Sequence, residues 1–150
     1  MNSAPADPET SGPHDHHRVV IVGAGFGGIA LAIRLQREGV EDIVILEKEH
    51  DLGGTWYVNT YPGCQCDVPS LLYSLECAPN AEWTRTFAPQ PEIEEYLRGV
   101  ADRFDLKRLI RFGTELTGAD WEPEGQRWSI DTSGGRMAAD VLILAAGFLS

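Results

Sequence analysis

Positive charge is scarce in this chain. Its 150 residues carry 12 Lys and Arg against 23 Asp and Glu, a formal net charge of −11. Neither a nucleic-acid backbone nor an anionic membrane surface attracts such a chain, so neither is expected as a partner. Long apolar runs are missing as well. The longest charge-free stretch of apolar character, Val19 to Ile33, is too short and too rich in glycine to span a bilayer. Acidic residues rather than a basic segment precede it, which removes it as a secretory signal. Cysteine is sparse: Cys64, Cys66 and Cys77 make no even framework, and the first two are spaced C-x-C rather than C-x-x-C. Reduced thiols that pack as small residues, and a cytoplasmic location, are the expectation. There is no internal repeat. Residues 1–17 hold Pro5, Pro8, Gly12 and Pro13 and almost nothing apolar, so a disordered tail is expected there, with no metal held by His14, His16 and His17.

What is present begins at Arg18, and residues 18–150 are read as the folded part. Val19-Val20-Ile21-Val22 has the composition of a buried strand. Gly23, Gly25 and Gly28 follow at once as G-x-G-x-x-G, and Ile29 to Leu35 continue as a helix that fades at Arg37-Glu38-Gly39. Each glycine has a job: Gly23 permits the tight turn, Gly25 lets a diphosphate approach the backbone, and Gly28 lets the helix pack close to the strand. The diphosphate then meets the free N–H groups and the positive end of that helix. A second strand, Ile43 to Leu46, ends in Glu47, about 20 residues after the last glycine, where a ribose-binding carboxylate is expected. Its charge repels a 2′-phosphate, so the site suits FAD or NAD better than NADP. Phe26, between the second and third glycines, belongs to the same cofactor-binding set.

Lys48 to about Pro89 gives little secondary-structure signal but contains Trp56, Tyr57, Tyr61, Leu71, Leu72, Tyr73 and Trp83. A stretch this apolar is expected to be an ordered wrap against a ligand. A helix is predicted from Pro91 to about Phe104, with Ile93, Tyr96, Leu97, Val100, Ala101 and Phe104 as its buried stripe. The alternation from Ile110 to Leu116 predicts one strand, Ala119–Trp121 and Arg127–Thr132 a hairpin, and Val141–Ala145 a buried strand.

The segment Gly53-Gly54-Thr55-Trp56-Tyr57-Val58-Asn59-Thr60-Tyr61-Pro62-Gly63-Cys64-Gln65-Cys66-Asp67, with Tyr73-Ser74 and Gln90-Pro91-Glu92-Ile93, resembles the N-terminal portion of flavin-dependent Baeyer–Villiger monooxygenases. The closing Leu144-Ala145-Ala146-Gly147-Phe148-Leu149-Ser150 is similar to the family's A-[TS]-G-x-L-S stretch, with Ala146 at the Thr/Ser position. The resemblance covers residues 18–150. It implies an α/β, Rossmann-like FAD-binding domain of the two-dinucleotide-binding-domain flavoprotein type, with a small β-meander and incomplete at its C-terminus. Gly23, Gly25, Gly28 and Glu47 are then implied to hold the ADP half of FAD. Thr55, Trp56, Asp67 and Tyr73 are implied around the ribityl and isoalloxazine, and Leu116 near the adenine through its backbone; the glycine pair Gly53–Gly54 permits close backbone approach to a ligand, which adds Gly54 to the cofactor-binding set. Asp67 matches the family's active-site aspartate, which helps to position an essential arginine. From the residues alone, Asp67 reads either as a buried charge needing a partner or as a turn-capping carboxylate.

The activity implied is oxidation of a ketone by O₂, with NADPH reducing the flavin, to give an ester or lactone. The family's F-x-G-x-x-x-H-x-x-x-W-P fingerprint, its NADPH-binding glycine motif and its catalytic arginine do not occur within these residues. An N-terminal fragment that is inactive alone is therefore expected, with most of the NADPH site outside it. The alternatives are an N-hydroxylating or sulfoxidising flavin monooxygenase, and a nucleotide-binding module without turnover. No metal is expected, and no oligomeric state is assigned.

Overall fold

The two β-branched runs form neighbouring parallel strands, and the rest of the fold is laid against them. A computed structural model describes residues 15–147. Residues 1–14, including His14, and Phe148-Leu149-Ser150 of the closing motif lie outside the described residues. Strand β1 (His16–Val22) leads into helix α1 (Phe26–Arg37), which returns the chain to β2 (Ile43–Leu46). A short helix α2 (Thr55–Val58) and a 3₁₀ turn at Ser70–Leu72 punctuate the long wrap before α3 (Gln90–Arg103). Then follow β3 (Ile110–Arg111), β4 (Leu116–Glu122), β5 (Arg127–Thr132) and β6 (Gly135–Leu144). The six strands make one sheet in the order β3-β2-β1-β6-β5-β4. β1 pairs in parallel with β2 and β6, with Val20 opposite both Val44 and Leu142, while β4, β5 and β6 form an antiparallel meander.

Alternation along β1 and β2 divides the core. Ile21 and Ile45 face α1 and α3, where Ile29, Ile33, Ile93 and Leu97 bury completely against them. Val20, Val44 and Leu46 face the other way and meet Ile130 and Met137 of the meander. Burying one such aliphatic side chain is worth about 1.5–3 kcal/mol, so a few of these contacts decide where the helices sit. Gly39, with φ of 79°, follows Glu38, the residue that caps α1, where the sequence has the helix fade, and Pro91 falls in the first turn of α3, which begins one residue before the predicted start.

Three expectations need correction. The ordered strand begins at His16 rather than Arg18. Ten-residue β6 extends far enough to pair His16 with Ala138 and His17 with Ala139. The His16 imidazole also reaches Asp140 at 2.8 Å, and His17 lies between Asp42 at 2.7 Å and Asp15 at 2.8 Å. The predicted strand from Ile110 to Leu116 is split in two. Gly113 turns the chain at φ 62°, because its N–H and that of Thr114 bond to the Glu49 and Glu47 carbonyls instead of to a neighbouring strand. Finally, the Val141–Ala145 run is not fully buried: Val141 is 44% exposed and Leu144 67%. Beyond Asp140, β6 pairs only with β1 among the described residues, which leaves those two side chains partly open.

Asp15 closes the start of β1 by a two-oxygen ion pair with Arg111. The Arg111 guanidinium holds the Asp15 carboxyl down at about 2, with His17 helping and partial burial opposing. The folded value lies below the ordinary 3.8, so the contact stabilises above about pH 4 and is lost as pH falls through about 2. Both side chains are more than a third exposed, at 37% and 40%, which limits the contribution to less than about 1 kcal/mol. Arg111→Met should lower the denaturation midpoint in guanidinium chloride at neutral pH and approach the parent chain at pH 1, below the folded value of about 2. A difference unchanged between the two pH values would show that the ion pair carries none of it.

Candidate functional site

Where β1 sends the chain to β2 on one side while β6 lies on the other, the strand ends leave a crevice. A cleft of about 500 Å³ opens there, floored by Val22, Leu46 and Leu144. That volume lies within the range of small-molecule sites.

The glycine turn forms its first wall. Gly23 and Gly28 are required by the fold itself. A Cβ on Gly28 would stand 1.9 Å from the Gly23 carbonyl oxygen, and one on Gly23 would stand 2.6 Å from that of Ala145. Gly25 is different. Its φ of −83° and ψ of −167° suit any residue, and a Cβ there would meet only the Gly54 backbone, at ordinary distances of 3.6 Å to Cα and 3.9 Å to N. Neither backbone nor packing demands glycine at 25, yet the residue lines the cleft. The space beside it opens toward the first turn of α1. That turn has no side-chain cap and no acidic residue, so its N–H groups are left for an anion.

Glu47 forms the second wall and is buried to 5% exposure. Its Oε2 accepts the Ala24 N–H at 2.7 Å and its Oε1 the Glu49 N–H at 3.0 Å. Each oxygen keeps a lone pair, so the carboxylate can still accept sugar hydroxyls. Thr114 and Leu116 line the cleft beyond it.

The third wall is aromatic. The Gly53 N–H bonds the Ala24 carbonyl at 3.0 Å and seats the Gly53–Gly54 turn on the glycine loop. Thr55 and Trp56 begin α2 directly after it. The Trp56 indole N–H donates to the Tyr73 hydroxyl at 3.1 Å, and Tyr73 stands edge-on to Phe26 with centroids 5.0 Å apart. Burial raises the Tyr73 phenol above its ordinary value, and Asp67 adds to this, so the hydroxyl stays neutral and keeps its proton to donate.

Gly23, Gly25, Phe26, Glu47, Gly54 and Thr55 therefore share one cleft with Trp56, Tyr73 and Leu116, whereas Gly28 stands behind it and Asp67 does not line it. The reading of Asp67 as a buried charge is corrected. Its side chain is exposed, with no hydrogen bond or ion pair among the described residues, because the turn after buried Cys66 points outward. Sequence reasoning missed Val58, Thr114 and Ala145 as lining residues; Ala145 was legible as the residue where the last strand ends at the crevice.

Residues 21–98 match the NAD(P)-binding Rossmann-like domain. The chain belongs to this family. It is 51% identical over 137 residues to a Baeyer–Villiger monooxygenase of Streptomyces coelicolor, covering 91% of this chain and 26% of that protein. With a Baeyer–Villiger monooxygenase of Pseudomonas aeruginosa the identity is 42% over 136 residues, covering 90% and 26%. Among solved structures, steroid monooxygenase bound to NADP superposes with a TM-score of 0.84 at 42% identity, over 89% of this chain and 26% of that one. Open cyclohexanone monooxygenase gives 0.83 at 39%, over 91% and 28%. The chain spans about a quarter of the length of these relatives, and the matched quarter is their N-terminal FAD-binding part. FAD and NAD(P) share an ADP half, and the glycine turn and Glu47 line the same cleft.

The two kinds of glycine separate experimentally. Gly25→Ala should leave stability within about 1 kcal/mol while weakening ADP binding at least tenfold, about 1.4 kcal/mol. Gly28→Ala should instead destabilise the fold by about 1–3 kcal/mol or more. Calorimetric titration with ADP and chemical denaturation of both variants check this; full ADP affinity in Gly25→Ala would place the diphosphate elsewhere.

Proposed function

We propose that this chain is the FAD-binding part of an NADPH- and O₂-dependent monooxygenase of the Baeyer–Villiger type, which converts ketones to esters or lactones. The observation that carries the cofactor assignment is Gly25, a position left open by the fold and facing the crevice. FAD supplies the redox chemistry, passing electrons from NADPH to O₂. The residues of this chain hold it. The first turn of α1 meets the diphosphate, Glu47 the ribose of the ADP half, and Leu116 borders the adenine. Gly54, Thr55, Trp56 and Tyr73 border the flavin half, where the aromatic wall excludes water and Tyr73 offers a neutral donor. Asp67, exposed beside Tyr73, is assigned the role of positioning a cation from the NADPH-binding part. Cytoplasmic placement belongs to the same reading, supported by three free cysteines and by the lack, among the described residues, of a helix long and apolar enough to cross a membrane.

Because recognition runs through the ADP half, the chain should bind FAD and ADP and ignore FMN. Equilibrium titration with all three measures this, and FMN displacing ADP would overturn the assignment. Catalysis is tested in a chimera, with residues 16–147 replacing the matching segment of the Streptomyces coelicolor relative. There Asp67→Ala should keep its FAD but lose about tenfold to a thousandfold in ketone oxygenation, the scale of a misplaced electrostatic group. Hydrogen peroxide should take the place of ester per NADPH consumed. Coupling equal to the unaltered chimera would reduce Asp67 to a turn residue.

A further inference from the structure

Gln90, the first residue of α3, is only 5% exposed, and a buried amide is costly unless its hydrogen bonds are made. Its Nε2 donates to the Trp56 carbonyl and, at 2.9 Å, to Oε2 of Glu94. Both partners are acceptors without protons, which fixes the orientation of the amide. Trp56 lies in a helix of four residues, too short to give its carbonyl an intrahelical partner, so Gln90 supplies the bond that α2 cannot. Behind Gln90, Oε1 of Glu94 accepts from Arg98 at 2.7 Å, and Arg98 also reaches Asp51 at 3.0 Å. Asp51 and Trp56 bracket the Gly53–Gly54 turn. One face of α3 thus grips that turn at both ends. The constraint passes on through the Trp56 indole to Tyr73 and from Tyr73 to Phe26.

We propose that Gln90, braced by Glu94 and Arg98, is a positioning residue that sets the Trp56–Tyr73 wall for the isoalloxazine half of the cofactor. The inference rests on the FAD assignment above. Gln90 makes no hydrogen bond to the glycine turn or to Glu47, so its direct hold is on the Trp56 end of the cleft, away from the diphosphate end. An apolar side chain of similar size would fill the same space and lose the grip on the Trp56 carbonyl.

The test uses ¹⁵N-labelled chain carrying Gln90→Leu or Gln90→Glu, the second keeping the shape while removing the donor. The indole N–H resonance of Trp56, assigned by its loss in Trp56→Phe, is followed without ligand, and FAD and ADP affinities are titrated in parallel. Both variants should displace the indole resonance, weaken FAD at least fivefold and hold ADP within twofold. An unmoved resonance, or FAD and ADP weakening together, would overturn the proposal, the latter by revealing general loosening. So would an effect confined to Gln90→Glu, which would make added charge the cause. If the indole moves in both variants while even the unaltered chain binds ADP and not FAD, the clamp stands and the flavin assignment falls.

Discussion

A single buried carboxylate ties the fold to its site. Glu47 ends β2, and its Oε2 takes the Ala24 N–H in the middle of the glycine turn that ends β1. Its backbone also joins the sheet edge, since its N–H bonds the Arg111 carbonyl and its carbonyl receives the Thr114 N–H. A charge placed this deep must be fully hydrogen-bonded to be tolerated. The backbone amides that solvate it are those of the loops around the crevice. Satisfying the charge and shaping the crevice are the same event, which explains how loops rather than strands come to hold so definite a form.

Around that anchor, the demands of the fold fall unevenly on neighbouring residues. Gly23 and Gly28 are demanded by contacts of the chain with itself, whereas Gly25 is left free by them. Gly53 and Gly54 bring a second segment onto the glycine loop, and Trp56 and Tyr73 extend it into an aromatic wall. That wall is held from outside the cleft by α3 through Gln90. The long wrap is therefore ordered by a few specific bonds and aromatic contacts in place of regular secondary structure.

β6 has two environments along its length. Its first half lies between β1 and β5 and buries Met137, Ala138 and Ala139; its second half pairs with β1 alone and leaves Val141 and Leu144 exposed. The strand joins the parallel nucleotide-binding half to the antiparallel meander. It delivers Leu144 and Ala145 to the cleft from the side opposite Glu47.

Much of this was already written in the residues. β-Branched runs fix strands through their own sterics, glycine spacing fixes the turn, and apolar periodicity fixes α3, because each depends on neighbours in sequence. The glycine turn and Glu47 could be assigned to one site on that basis, and the family resemblance added Thr55 and Trp56. Other features depended on partners far along the chain. The alternating stretch from Ile110 to Leu116 met the loop after β2 and turned, since Gly113 found its hydrogen-bond acceptor there rather than in a strand. His16 and His17 read as tail until β6 proved long enough to pair with them. Asp67 read as a candidate buried charge and came out exposed, because the direction of a turn is set by what packs beneath it, here Cys66. The sequence by itself determined the βαβ start of the fold, α3 and most of the residues that line the crevice. Only the tertiary structure decided where strands stop, which carboxylate is buried and which residue of α3 reaches the cleft wall, because those outcomes rest on hydrogen bonds between distant segments.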